Sequence, residues 1–399
     1  MKIARLFLCG LLLAGVPGRG ATNAGASQWS MLKLPDTGQT NNYATPVFGA
    51  DSDYTINPPS FTNHGNGTST DNVTGLLWQR VDGGEMTWTN ALLYAATNTL
   101  GGWPAGSWRL PSVHELASIL IYSRENPALN TNFFLSGGGT NADYWWSKDT
   151  LATDHARVWV SNAGGGVGPK VQNETLSAGG TLRYHARLVR GSSPPTNSPI
   201  HHFYNNGNGT ITDLDTGLIW QQGEAAAMMN WTNAILYAES LTLGSFTDWR
   251  LPNIKELESL NDETLANPSI DTNFFLNAKS ARYWASTTQN NRWTNAWWNE
   301  FIAGIASQSP KVGSNWVRAV RGPFTVTAPV LTVATNAAAG AGFRLSVHGD
   351  SGHLYTIQSS TNLANWANLF TTNPSATPFA WTDAGTNFPR RFYRVLLLP

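Results

Sequence analysis

Tryptophans in pairs and short clusters are the residues of this chain best equipped for chemistry, and the chemistry they suit is the holding of sugars. Trp145-Trp146, Trp284, Trp293 and Trp297-Trp298-Asn299 combine flat apolar faces with amide edges. Such faces stack on pyranose rings while a few polar edges fix the hydroxyls. The alternative for each ring is the core: the chain has 18 Trp, and burying one removes roughly 150–250 Å² from water. Other constellations are weaker. Asp213 and Asp215 follow Asn206-Gly207-Asn208-Gly209-Thr210 and could be read as a calcium loop, but hard cations want several close carboxylates and the earlier copy of this stretch offers only Asp71 and amides. A hairpin turn is the simpler reading. Neither Asp213/Asp215 nor Glu256/Glu258 has an acidic counterpart pair elsewhere, as carboxylates facing each other across a hydrolytic cleft would need. Gly349-Asp350-Ser351-Gly352 matches a serine-protease nucleophile segment but lies in a 77-residue stretch too small for the rest of such an enzyme, and His201-His202 reads as a solvated pair. These residues predict no catalytic centre, metal site or cofactor, and no phosphate-cradling glycine loop or basic nucleic-acid patch is present.

The elements that must position these residues occur twice. Gly65-Asn66-Gly67-Thr68 through Trp78-Gln79 returns as Gly207-Asn208-Gly209-Thr210 through Trp220-Gln221. Trp88-Thr89-Asn90-Ala91 returns as Trp231-Thr232-Asn233-Ala234, Trp108-Arg109-Leu110-Pro111 as Trp249-Arg250-Leu251-Pro252, and Arg187 to Gly191 as Arg318 to Gly322. A period this long marks a duplicated domain rather than a solenoid. In each copy a glycine turn leads into a strand ending at Trp78 or Trp220. A helix then buries Trp88, Ala91, Leu92 and Ala95, or Trp231, Ala234, Ile235 and Ala238, at helical spacing. A second helix opens with the capping boxes Ser112-x-x-Glu115 and Asn253-x-x-Glu256 and buries Val113, Leu116, Ala117 and Leu120. Arg109 and Arg250, just ahead of these helices, are expected to pair with Glu115 and Glu256 in a structural role, since planar Arg forks suit semi-buried carboxylates. The remainder of each copy is rich in Trp, Gly and β-formers without helical period, which predicts an α+β domain.

Charged residues make up only 13% of the chain and balance to zero net charge. Lys2 and Arg5, the apolar run Leu6 to Val16 and the small residues Gly18, Gly20 and Ala21 read as a secretory signal over residues 1–21. That run is too short to span a bilayer, and no other stretch is long enough. Cys9, the only cysteine, would leave with the signal, so disulfides and thiolate chemistry are not expected. The division that follows is a polar leader at 22–60, a first repeat at 61–191, a proline-stiffened linker at 192–199, a second repeat at 200–322 and a last module at 323–399. In that module Phe343–Val347, Leu354–Gln358 and Phe392–Leu396 alternate apolar and polar residues, as a small antiparallel β-sandwich would.

Each repeat resembles the Lcl C-terminal domain, the last domain of a bacterial collagen-like adhesin. The resemblance is carried by Gly67-Thr68, Asp71, Thr74-Gly75-Leu76 and Trp78-Gln79, by Trp108-Arg109-Leu110-Pro111 with Glu115-Leu116, by Tyr144-Trp145 with Ser147, and by Arg187 with Val189-Arg190, with the second repeat repeating the signature around Trp220 and Asp248 to Glu256. It implies two tandem C-type-lectin-like domains and a role in adhesion or in binding extracellular polysaccharide. With the signal segment and the missing catalytic constellation, the expectation is a secreted, cell-surface or periplasmic binding protein that is not an enzyme or, alternatively, a structural or protein-interaction component of the cell envelope. Two features depart from the adhesin. No Gly-X-Y tract is present, and basic and acidic residues number nine and nine in 60–191 and eight and eleven in 201–322. Sulfated glycans call for clustered positive charge, so a neutral polysaccharide or a protein partner is expected instead. The Arg-Leu-Pro element also resembles one in the formylglycine-generating enzymes, whose catalysis uses cysteines.

Overall fold

A computed structural model describes residues 29–44, 47–177, 179–181, 183–191, 201–322, 330–333, 343–349, 354–363, 365–372, 374, 376–384 and 390–398. The proposed signal, the proposed linker and most of the Gly349–Gly352 segment lie outside the described residues. The chain forms two compact units, one holding leader and both repeats and the other the C-terminal module.

In repeat one, Phe61–Asn63 (β1), Thr68–Asp71 (β2) and Leu77–Gln79 (β3) form a small antiparallel sheet. Helices Trp88–Thr97 (α1) and Val113–Ser118 (α2) follow, then strands Tyr144–Leu151 (β4), Asp154–Asn162 (β5), Val167–Val171 (β6), Tyr184–His185 (β7) and Val189–Arg190 (β8). β8 returns to pair with β3. Repeat two reproduces the plan with Phe203–Asn205 (β9), Thr210–Asp213 (β10), Ile219–Gln221 (β11), Trp231–Glu239 (α3), Ile254–Glu258 (α4), Arg282–Thr288 (β12), Asn295–Glu300 (β13), Ala306–Pro310 (β14) and Val320–Arg321 (β15), which pairs with β11.

Strands predominate, so the architecture is mostly β rather than the expected α+β. The helices start where the caps place them: Thr87, Ser112, Asn230 and Asn253 each accept from a backbone N–H in the first turn. They are nevertheless short, at 10, 6, 9 and 5 residues. The apolar run Ile119–Tyr122 stays buried but leaves the helix, because Ile121 N donates to Ala128 O (2.8 Å) and Tyr122 N to Thr37 O (2.8 Å). Distant backbone groups outcompete the local helix there.

Repeat one keeps a cluster of its own around Ala91, Trp108, Trp146 and Tyr184, but the repeats also share a core. One cluster joins Trp78, Leu116, Leu120 and Trp159 of the first to Trp220, Leu257, Phe275 and Trp297 of the second, with Met31 and Leu34 of the leader between them. The larger sheets meet through the antiparallel contact Ala306↔Val167, giving one seven-stranded sheet in the order β12-β13-β14-β6-β5-β4-β7. Beside this joint Gly165 has φ +100°, and a Cβ there would stand 3.2 Å from the Tyr122 ring and 3.4 Å from Trp297. The leader is structural as well: Asp36, Thr37, Gln39 and Asp51 are buried. It also breaks the symmetry of the helices. Gly49, at φ +115°, lies so close to Ile235 that a Cβ would sit 2.6 Å from Cγ2, and Ile235 is fully buried. Leu92, at the same place on α1, has no such cover and is 39% exposed.

The C-terminal unit consists of Val330–Val333 (β16), Phe343–His348 (β17), Leu354–Ser360 (β18), Ala367–Thr372 (β19), Phe379–Asp383 (β20) and Phe392–Leu398 (β21). Two antiparallel sheets, β16-β17-β20 and β19-β18-β21, enclose Leu345, Val347, Tyr355 and Ile357. The alternating pattern thus yields a small two-sheet unit.

Candidate functional site

Each repeat builds a rigid corner from an arginine and a capped helix. Arg109 is held by reciprocal backbone bonds with Val189 (3.1 and 3.0 Å), which points its guanidinium at the start of α2. It donates to both oxygens of Glu115 at 2.6 Å, while Ser112 N donates to Glu115 at 2.7 Å. Burial pushes the Glu115 carboxyl up, but the Arg109 bonds and charge outweigh it and hold the group below the usual range. In repeat two Arg250 pairs with Glu256 through two bonds of 2.6 and 2.5 Å. Charge-assisted, two-point pairs of this kind are strong and directional. Trp78 and Trp220, both fully buried, pair in their small sheets with Val189 and Val320, the residues whose backbones hold Arg109 and Arg250.

Most of the expected sugar platforms have no free face. Trp145 is buried because its Nε1 donates to Asp82 (2.9 Å), a carboxylate that also meets His185 Nδ1 (2.9 Å) and Arg187 (3.3 Å). Trp146 donates to Met86 O (2.9 Å) and stacks on Tyr184 with ring centres 4.8 Å apart. Trp284 makes the matching bond to Met229 O (2.9 Å), so Trp284 is the counterpart of Trp146, not of Trp145. Trp297 packs edge-on against Tyr122 of the other repeat (5.0 Å). Trp298 is buried beneath the Arg282 guanidinium, 4.2 Å from its ring centre. Asn299 is sealed in a reciprocal amide pair with Asn261 (2.9 and 3.0 Å). A ring or amide enclosed in this way cannot stack on a pyranose, and for these six residues the platform expectation gives way to the core.

Trp293 differs: it is 65% exposed. It projects from the loop between β12 and β13, which internal bonds hold in shape: Gln289 Nε2 to Asn291 Oδ1 (3.0 Å), Asn295 Nδ2 to Gln289 Oε1 (3.0 Å) and Asn295 N to Arg292 O (2.8 Å). Glu125 of repeat one accepts from Asn291 N (3.1 Å). Thr294 O accepts from Lys311 N (2.9 Å), which brings the 87% exposed Val312 to the same rim. The matching turn of repeat one, Ala152-Thr153, is short and has no aromatic residue.

The turn expected around Asp213 forms, whereas the solvated histidine pair does not. Asp213 is buried and spends its carboxylate on the turn, accepting from Asp215 N (3.0 Å) and Thr216 Oγ1 (2.7 Å), with burial pushing its pKa up to about 6. His201 is not solvated: its Nε2 lies 2.9 Å from Asn261 O, and its ring approaches Trp29 and His114.

A cleft of about 430 Å³ opens between leader, repeat one and repeat two, lined by Trp29, Arg109, His114, Lys148, Asp149 and Glu263 among others. His114 Nε2 lies 3.0 Å from Glu263, and Lys148 pairs with Asp149 at 2.7 Å. The linings from distant parts of the chain carry no common motif, which is why sequence reasoning missed the cleft. Asp82 and its counterpart Glu224, which bonds Tyr283 and faces Arg318, were missed too. The repeated Arg187 and Arg318 were the signal that each needed a buried acid.

Two matched corners, two matched buried acid–arginine pairs and one joined sheet define a tandem β-rich protein built from a duplicated unit. The chain belongs to the Lcl C-terminal domain family, whose model matches residues 67–190 and 209–321. No curated protein and no solved structure matches the chain. Among the described residues, no helix is long and apolar enough to cross a membrane, and no group of His, Cys, Asp and Glu is arranged to hold a metal.

Proposed function

We propose that this chain is a secreted, non-enzymatic binding protein of adhesin type that recognises neutral extracellular polysaccharide, exported by the signal at residues 1–21. The observation that carries the reading is Trp293: a ring 65% exposed, on a braced loop whose exposed Asn291 and half-buried Asn290 add carboxamides. A preformed loop spends little ordering entropy on its ligand. Family membership and the C-type-lectin-like descent we assign to each repeat favour the same role, and the near balance of basic and acidic residues favours a neutral polymer over a sulfated one. Among the described residues the matching turn of repeat one carries no such ring, so we assign one sugar site of this kind to the tandem rather than two acting by avidity.

Titration of the full chain with a panel of neutral and sulfated oligosaccharides, read by tryptophan fluorescence, tests the proposal. A neutral glycan should bind, and Trp293→Ala should weaken it at least tenfold, about 1.4 kcal/mol. Silence across the panel, or binding indifferent to Trp293→Ala, refutes it.

A further inference from the structure

The same corner of the fold is covered in one repeat and open in the other. Lys148 N donates to Pro111 O and Ser286 N to Pro252 O, both at 2.7 Å. Val113 N donates to Asp149 Oδ2 (2.8 Å) and Ile254 N to Thr287 Oγ1 (3.0 Å). The walls Lys148–Thr150 and Ser286–Thr288 are therefore equivalent, each standing beside the N-terminus of a capped helix. In repeat two the leader lies on this wall. Thr287 Oγ1 donates to Asp51 (2.6 Å), Thr37 Oγ1 donates to the same carboxylate (2.7 Å), and Gln39 forms a two-way pair with the main chain of Thr288 (2.8 and 2.9 Å). In repeat one the equivalent wall faces the 430 Å³ cleft.

We propose that this cleft binds an extended, uncharged polar segment of a partner polypeptide, laid on repeat one as the leader is laid on repeat two. Three observations set the chemistry of the occupant. First, the fold already uses this surface to hold a peptide, and the Gln39 contact is made to main chain, so it demands a carboxamide and little else of the sequence. Second, the charges around the cleft are matched: Arg109 with Glu115, His114 with Glu263 and Lys148 with Asp149, which leaves no surplus to attract a charged partner. Third, Asp149 stands where repeat two has Thr287. A carboxylate such as Asp51 would meet like charge there, so the occupant must present hydroxyl or amide donors. At about 300–1,000 Å³ for typical ligand clefts, the space suits a few residues of chain. The site is separate from Trp293 and does not depend on the sugar proposal.

Fluorescence polarisation with the full chain tests this, using a labelled peptide that reproduces residues 34–42 with Asp36→Asn. Saturable binding is expected. Ala152→Trp, a half-exposed turn position lining the cleft, should weaken it at least tenfold, and a peptide that also carries Gln39→Asp should bind at least fivefold more weakly. Trp293→Ala should leave peptide binding unchanged. The proposal is overturned if no saturable binding occurs, if Ala152→Trp leaves the affinity intact, or if a neutral oligosaccharide displaces the peptide from the cleft.

Discussion

His114 shows how one side chain ties the repeats together. It projects from α2 of repeat one, meets Glu263 of repeat two, and has Asp149, Glu258 and His201 around it. Burial alone would lower its pKa, but the charge and hydrogen bond of Glu263 outweigh burial and lift it to about 9. An unfolded histidine titrates near ~6.5. The folded chain therefore keeps a proton that the unfolded chain loses, and the resulting stability is present in full below pH ~6.5 and drains away as pH rises through about 9. Glu258, pushed up to about 8 by burial, acts in the same direction, while Lys255, drawn down to about 8 by burial, opposes it above that pH. Urea unfolding at pH 6.5 and pH 9 isolates the histidine: the loss over this window should be smaller in His114→Gln by up to about 3 kcal/mol, and equal losses would remove the histidine from the account. At this scale the sequence was only half legible. The type of each Trp was plain, but its exposure depended on distant partners, as with Trp145 and Asp82, 63 positions apart.

At the scale of elements, what was legible was what is local. The capping boxes at Ser112 and Asn253 act within one turn, so the starts of α2 and α4 could be read directly, and the Arg109–Glu115 and Arg250–Glu256 pairs span only six positions. Helix ends were not legible, since backbone bonds from Ile121 and Tyr122 to the carbonyls of Ala128 and Thr37 draw Ile119–Tyr122 out of the helix. The joining of the two larger sheets through Ala306 and Val167 leaves no local trace at all. Gly165 guards that joint. Gly165→Val would impose a side chain at φ +100° against Tyr122 and Trp297, and overpacking plus backbone strain should cost roughly 1–3 kcal/mol. A drop in urea midpoint at unchanged slope is the expected result. A midpoint within error of wild type would show that the joint is looser than described.

At the scale of the molecule, the duplication was legible but the core that the repeats share was not. Two similar surfaces of one chain buried themselves against each other and against the leader, and a string of polar residues such as Asp36, Thr37, Gln39 and Asp51 gives no sign of being core until their partners are known. Lys255 makes the same point: buried in repeat two, it donates to Asp36 O of the leader (2.9 Å) and Ser118 O of repeat one (2.8 Å). Burying an ammonium is tolerated only with such partners, so neither repeat can be withdrawn without stranding polar groups of the other. The most direct test is to place a protease site within residues 192–199, cut the folded protein, and follow the two pieces by size exclusion and calorimetry. The account predicts that the pieces co-elute and that both repeats unfold in a single transition. Two separately eluting pieces, each melting cooperatively by itself, would contradict it.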